Sequence, residues 1–402
     1  MGSYIFRRCI RRLPGAVIHA VPIPEPEVTV GFGSREQIGP ICKALGAKSV
    51  LLVTDKTLFS LGFHEKIVGS LKAEGVPCAV FSDISTEPTT DIIRAGRQAA
   101  VDCKADCIAA LGGGSVMDSS KIIAAGAKKP NKSVARYLHK FDFIKGKTLP
   151  LITVPSTAGT GAEYTVGAVV KNSKGVKNST VVVGLDVRHV VLDSELTVGA
   201  PQSVTVWCGI DALSHGLEGV LSDVKYNEDD MKKSSECVRL VMENLPVLLN
   251  DPGNIDARQK MALAAFYGGN AINKQLAGYI HACAHSIGGL YHIPHGKAIA
   301  FCTMPVLDML RDVCREKLAA LSVYCGTAKD SDRADIAAKK FFSALKKLLD
   351  DCGLEKGCAA LKKEDYPKLL KMINADSINY SPPKTFKNSE VIGILDHIAK
   401  GE

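Results

Sequence analysis

The hydrophobic rhythm of this chain changes once, after Thr197. Before that point, short β-branched runs alternate with stretches of helical period. VTVGFG precedes REQIGPICKALG, and SVLLVTD precedes TLFSLGFHEKIVGSLKAEG. CAVFSDI precedes DIIRAGRQAAVDCKA, and DCIAALGGG precedes SVMDSSKIIAAGA. Such alternation builds βαβ units around a largely parallel sheet. LPLITVP, VGAVVKN, STVVVG and HVVLD add strands, some of them antiparallel. Beyond Thr197 strand signals nearly vanish. VWCGIDALSHGLEGVLS, DDMKKSSECVRLVMENLPVLL, DARQKMALAAFYGGNAINKQL, VLDMLRDVCREKLAALSVYC, RADIAAKKFFSALKKLLDDC and VIGILDHIAK all carry helical periodicity. The expected layout is an α/β half over residues 27–196 and an all-helical half over residues 197–402, with ligands in the cleft between them.

Composition narrows the class. Of 402 residues, 46% are hydrophobic and 23% charged, which places the chain among globular proteins and excludes disorder as its main state. No apolar run approaches the roughly 18 residues of a membrane helix, so no membrane role is expected. The net charge of +8 is partly local: Arg7, Arg8, Arg11 and Arg12 precede the first acid, Glu25. No basic stripe interleaves with aromatics, so nucleic acid is not an expected partner. The arginine-rich segment over residues 1–26 reads as a mitochondrial presequence, with a plain basic lead-in and a cytoplasmic chain as the alternative. Its AVIHAVPIP stretch is too broken for a secretory core, and MGSYIF lacks the hydroxyl residue of a myristoylation signal. The 13 cysteines are scattered without a CxxC pair, which fits buried thiols in a reducing, intracellular compartment.

Three groups of residues can carry chemistry. Gly112, Gly113, Gly114 and Ser115 follow a buried strand and open a helix. Glycines there let backbone amides approach an anion, and the helix end adds partial positive charge. Asp118 belongs to this candidate cofactor set, and reads equally as the acid of a capping box begun by Ser115. Asp55 closes an early strand, where an acid can bind ribose hydroxyls or cap a helix. PSTAGTG supplies Ser156, Thr157 and Thr160 to a nucleotide site or to a turn.

Histidine is the third signal. Four of the ten histidines fall within residues 281–295: His281, His285, His292 and His295. Asp211 and His215 are spaced i, i+4, as are His281 and His285, so each pair shares a helix face. Gly288, Gly289 and Pro294 interrupt before His295, which therefore comes from another element. One carboxylate and several imidazoles from separate helices make a site for a divalent first-row metal such as Fe²⁺ or Zn²⁺. Spacing leaves open which of the four downstream histidines bind.

GGGSVMDSSKIIA, PSTAGTGAEYT, GIDALSHGLEG and HACAHSIGGLYHIPHGKAIA, in this order and with these gaps, resemble the iron-containing (group III) alcohol dehydrogenases. GFGSREQIG and VLLVTDKTL match that family's opening, and the likeness runs from about Glu27 to the C-terminus. The resemblance implies a Rossmann-like α/β domain followed by an all-α domain, with the active site in the cleft between them. It implies a homodimer that uses NAD, with NADP left open, and Fe²⁺, with Zn²⁺ as the alternative, to interconvert small alcohols and aldehydes. It places the metal on Asp211, His215, His281 and His295, and an additional active-site histidine, a candidate proton relay, on His285. Gly113, Gly114 and Ser115 match its pyrophosphate loop, and Asp55 its NAD-favouring acid. Ser156, Thr157, Thr160 and Thr165 match nucleotide and nicotinamide contacts, and Lys177 a cofactor-contacting lysine. His292 has no general role in the family, and Glu87 stands where relatives carry Asn. A hydroxyacid–oxoacid transhydrogenase with bound NAD is the competing expectation, and a synthase or lyase on the same architecture a more distant one.

Overall fold

A computed structural model describes residues 23–86, 88–130, 134, 147–171, 177–182, 184–224 and 226–401. The arginine-rich head and Glu87 lie outside the described residues. The chain forms two compact units, the first ending at Gly199 and the second built from Ala200 onward.

In the first unit the order is β1 (Glu27–Val30), α1 (Ile38–Ala44), β2 (Val50–Asp55), α2 (Lys56–Ser60), α3 (Glu65–Ala73) and β3 (Cys78–Ile84). Then come α4 (Thr90–Asp102), β4 (Cys107–Gly112), α5 (Gly114–Lys128), β5 (Leu151–Pro155), β6 (Gly167–Lys171), β7 (Lys177–Val181), β8 (Val187–Leu192) and α6 (Glu195–Val198). Six strands form one parallel sheet in the order β1-β8-β5-β4-β2-β3. Strands buried on both faces need no polar alternation. Val50, Leu51, Leu52 and Val53 of β2 and Ile108, Ala109, Ala110 and Leu111 of β4 are accordingly all apolar and inaccessible to solvent. β6 and β7 pair antiparallel as a separate ribbon, in keeping with the mixed directions expected there.

Topology positions the first candidate site. From β2 the chain winds outward to β3, then returns past β2 to β4. The winding therefore reverses between β2 and β4, and open α/β sheets bind ligands at the carboxyl ends of strands at such a point. One buried ion pair fastens the sheet's other side. The Arg35 guanidinium, 2% exposed, reaches Asp193 at 2.7 Å and Glu195 at 3.0 Å, joining the chain after β1 to the chain after β8.

The second unit contains α7 (Gln202–Leu221), α8 (Glu228–Asn250), α9 (Ile255–Gln275), α10 (Tyr279–Tyr291), α11 (His295–Leu310), α12 (Arg315–Tyr324), α13 (Ala334–Asp351), α14 (Tyr366–Ser377) and α15 (Asn388–Lys400). Two expectations need correction. VLDMLRDVCREKLAALSVYC is not one helix, because α11 ends at Leu310 and α12 starts at Arg315. An apolar stripe reads alike across a turn, and Leu310, Cys314 and Leu318 stay buried on both sides of it. Gly288 and Gly289 do not interrupt the chain, since both lie inside α10. A glycine weakens a helix by only about 1 kcal/mol. The break falls at His292, which closes α10 in the left-handed region with φ 55°, and at Pro294, the N-cap residue just before α11. His295 does come from a separate element, as its spacing implied. Every described cysteine is free. Among the described residues no helix is long and apolar enough to cross a membrane.

Candidate active site

In the first unit, two of the sequence motifs meet at the carboxyl edge of the sheet. Gly112 of β4 pairs with Pro155 of β5, and the Ser156 amide donates to the Gly112 carbonyl at 2.9 Å. A Cβ placed on Gly113 would lie 3.5 Å from Thr157, and one on Gly114 would lie 3.4 Å from the Thr160 hydroxyl. The hydroxyl loop thus packs directly on the glycine turn. Gly113 is the N-cap of α5 and no side chain caps it. The opening amides of a 15-residue helix are left facing this edge, which suits a pyrophosphate.

The capping-box expectation is corrected here. The Ser115 hydroxyl donates to the Thr86 carbonyl at 2.7 Å, and Asp118 sits in the second turn of α5. Asp118 accepts from the Lys121 ammonium at 3.2 Å and from the Val169 amide at 2.8 Å. Lys121, fully buried, also donates to Thr165 Oγ1 at 3.1 Å and to the Gly167 carbonyl at 2.7 Å. Asp118 and Thr165 therefore brace α5 against the chain that follows the hydroxyl loop. Lys121 is absent from the sequence reading, because a lone lysine in a helix normally reads as surface. Burial lowers the pKa of Lys121 and raises that of nearby Glu163 to about 7. Asp55 ends β2 and caps α2, its Oδ1 accepting from the Leu58 amide at 2.9 Å. Lys177 pairs with Lys171 in the β6–β7 ribbon, and its side chain lies outside the described residues.

In the second unit three helices bring their ligand-type side chains to one point. α7 carries Asp211 and His215, α10 carries His281 and His285, and His295 is the first residue of α11. Asp211 Oδ1 lies 3.6 Å from His215 Nε2, 3.6 Å from His281 Nε2 and 3.2 Å from His295 Nε2. Gly296 allows the approach: a Cβ there would sit 2.3 Å from the Trp207 carbonyl oxygen on α7. The His215 and His281 rings stack 4.6 Å apart, and those of His285 and His295 stack 5.0 Å apart. Asp211, His215 and His281 are buried, whereas the His295 side chain is 38% exposed and His285 is exposed. The cluster is therefore closed on one side and open at His285 and His295. His292 caps α10 by its backbone, and the described contacts do not bring it into the cluster.

The donor set fits a cation. Asp211, His281 and His295 each offer one atom, all within 4.8 Å of one another, and His215 joins through Asp211. Ligands bonded at about 2.1 Å around a tetrahedral ion lie about 3.4 Å apart, which matches the spacing around Asp211 Oδ1. Asp211 Oδ1 and His281 Nε2 are buried with no hydrogen-bond partner, an arrangement that is costly without an ion. Burial alone would raise the Asp211 carboxyl, but the His215 and His295 imidazoles outweigh it and hold it well below the ordinary carboxylate range. Burial opposes a charged His281, but Glu218, followed by Asp211, lifts it to about 9. The surrounding protein and then His295 and His281 push His285 well below its ordinary value.

Sequence reasoning missed two further residues. Glu218, buried on α7, accepts from the Ile280 amide at 2.7 Å and meets His281 Nδ1 at 2.5 Å. Its signal was in GIDALSHGLEG, where it stands one and two turns beyond His215 and Asp211 on the same face. Tyr380 hydrogen-bonds His285 Nδ1 at 3.0 Å. It lies about a hundred residues downstream, and no local pattern marks it.

A carboxylate with three imidazoles suits a divalent metal, and a helix end without a side-chain cap at a sheet switch point suits a dinucleotide's pyrophosphate, the two requirements of a metal-assisted dehydrogenase. Residues 25–193 match the family described as "Iron-containing alcohol dehydrogenase", and residues 205–399 match "Fe-containing alcohol dehydrogenase family, C-terminal". The chain belongs to the iron-containing alcohol dehydrogenase family. It is 31% identical to 1,3-propanediol dehydrogenase of Citrobacter freundii, over 89% of this chain and 93% of the relative. It is 27% identical to NAD-dependent methanol dehydrogenase of Bacillus methanolicus, over 92% and 97%. A crystal structure of sulfoacetaldehyde reductase from Bifidobacterium kashiwanohense in complex with NAD⁺ superposes with a TM-score of 0.85 at 25% identity, covering 94% of this chain and 98% of that one. The protein is thus an oxidoreductase of the iron-containing alcohol dehydrogenase family, acting on alcohols.

Proposed function

We propose that Asp211, His215, His281 and His295 hold the iron and that the protein interconverts short primary alcohols or diols with their aldehydes. The convergence of three imidazole Nε2 atoms on Asp211 Oδ1 at 3.2–3.6 Å carries this reading. A cation held there would supply Lewis acidity toward the substrate oxygen, and a nicotinamide bound at the glycine turn would supply the hydride chemistry. The chain's own residues do the rest. Asp211 contributes the one negative charge among the ligand atoms, its carboxyl held well below the ordinary range by the His215 and His295 imidazoles. The opening amides of α5 bind the pyrophosphate, backed by Thr157 and Thr160, and Asp55 receives the ribose. His285 stands at the open side beside His295, with its Nδ1 hydrogen-bonded to Tyr380. It moves the proton released or taken up by the alcohol.

The test is an anaerobic panel on metal-stripped protein. It would be supplied with Fe²⁺, Zn²⁺ or nothing, with NAD or NADP, and with methanol, ethanol, 1,3-propanediol or 4-hydroxybutyrate. Reduced nicotinamide that forms only with metal is the expected result. Equal turnover without metal would overturn the reading, and turnover only after adding an oxoacid would replace it with transhydrogenation. Asp211→Ala should lose its metal and more than about 100-fold in kcat/KM. Stoichiometric metal in that variant, measured by elemental analysis, would refute the ligand set. A homodimer, tested by light scattering, belongs to the same proposal. So does mitochondrial import directed by Arg7, Arg8, Arg11 and Arg12, tested by locating a tagged full chain with and without those arginines.

A further inference from the structure

We propose that Glu218 is a positioning residue for the metal site: it fixes which nitrogen His281 offers and adds a second negative charge beside the ligands. The inference rests on the ligand set proposed above. α7 places Asp211, His215 and Glu218 at i, i+4 and i+7, so one helix face presents two ligands and the residue that holds a third. Glu218 is not itself a ligand, because both of its oxygens are engaged with α10. Oε1 accepts from the Ile280 amide at 2.7 Å, and Oε2 meets His281 Nδ1 at 2.5 Å.

An ionised carboxylate can only accept hydrogen bonds. Nδ1 of His281 must therefore carry the proton in this contact. A neutral His281 then has its lone pair on Nε2, the atom 3.6 Å from Asp211 Oδ1. Without Glu218, either nitrogen could bear the proton, and one of the two forms would turn an N–H toward the cation. Charge points the same way. A divalent ion with Asp211 and neutral imidazoles leaves one uncompensated positive charge in a largely buried site, and Glu218 cancels it.

The backbone has been shaped to allow this grip. Gly278 precedes α10, and a Cβ there would fall 2.7 Å from Glu218 Oε1. Any larger residue would push the carboxylate off the Ile280 amide or off the ring.

Glu218→Gln separates this role from simple packing. It keeps shape and size, but an amide has one acceptor oxygen facing two donors. Either the Ile280 amide or His281 Nδ1–H must then oppose an NH₂ group. Metal-free full-length protein would be titrated with Zn²⁺ against a chelating dye and with Co²⁺ by its visible absorption. Circular dichroism, urea unfolding without metal, and NAD affinity would be followed in parallel. The expected result for Glu218→Gln is a 10–100-fold loss of Zn²⁺ affinity and altered Co²⁺ bands, with wild-type circular dichroism and NAD affinity. Gly278→Ala should weaken Zn²⁺ in the same direction without changing any charge. Wild-type Zn²⁺ affinity in Glu218→Gln would overturn the proposal. Lower metal-free stability with an unchanged Zn²⁺ constant would also overturn it, because that is the mark of a merely structural contact. Retained metal in Asp211→Ala would instead remove the ligand set itself. Loss in Asp211→Ala beside wild-type affinity in Glu218→Gln would leave the ligand set standing and this inference refuted.

Discussion

Glu163 shows how burial turns one residue into a pH-dependent element. It is 2% exposed, lies near the Lys121 ammonium, and has its pKa raised by burial from 4.5 to about 7. The sign follows directly. A carboxyl whose folded pKa exceeds its unfolded value binds its proton more tightly when folded. Its stabilising contribution is therefore complete below about pH 4.5 and lost as pH rises through about 7. Glu163→Gln removes that dependence. Urea unfolding from pH 4.5 to 8 should show the wild type losing about 3 kcal/mol relative to the variant. A constant difference across that range would show that Glu163 does not titrate there. Asp118 and Thr165 illustrate the same local dependence. Each resembled a nucleotide contact in the sequence, and each is engaged by Lys121 in the fold.

The contact between α7 and α11 decides where His295 stands. Both helices are strongly apolar, and both are nearly all buried along the facing residues. They pack tightly at Gly296, where a methyl group would meet the Trp207 carbonyl oxygen at 2.3 Å. Backbone cannot yield as a flexible side-chain tip can. Gly296→Ala should therefore lower metal-free stability by about 1–3 kcal/mol and shift His295 away from Asp211. Urea unfolding and Zn²⁺ titration check the two effects separately, and emission from Trp207, the single tryptophan, reports the shifted contact. Unchanged stability and affinity would mean that α11 pivots freely. The β2–β4 junction works by the same logic of placement: reversed winding leaves the carboxyl ends of these strands clear for a ligand.

Over the whole chain, the two candidate sites belong to different compact units, with the glycine turn before Gly199 and the Asp–His cluster after Ala200. Hydrogen exchange should therefore separate them. Metal at 100 times its Kd adds about 2.7 kcal/mol to the state that binds it, or about 100-fold slower exchange for amides that open by unfolding of that state. That protection should appear in α7, α10 and α11. Protection by NAD should centre on residues 112–118 and 155–165. Metal that protects only the glycine turn would contradict the assignment. The class of each half was legible in the chain because hydrophobic period is a local property. β2, β4 and α7 could be read from their own residues alone. The pairs Asp211–His215 and His281–His285 were legible for the same reason, since four residues make one helical turn. Strand order, the turn between α11 and α12, and the partners of Asp118, Glu218 and His285 were not. Each of these depends on which distant segment packs alongside, and burial energy is summed over contacts that no local window contains.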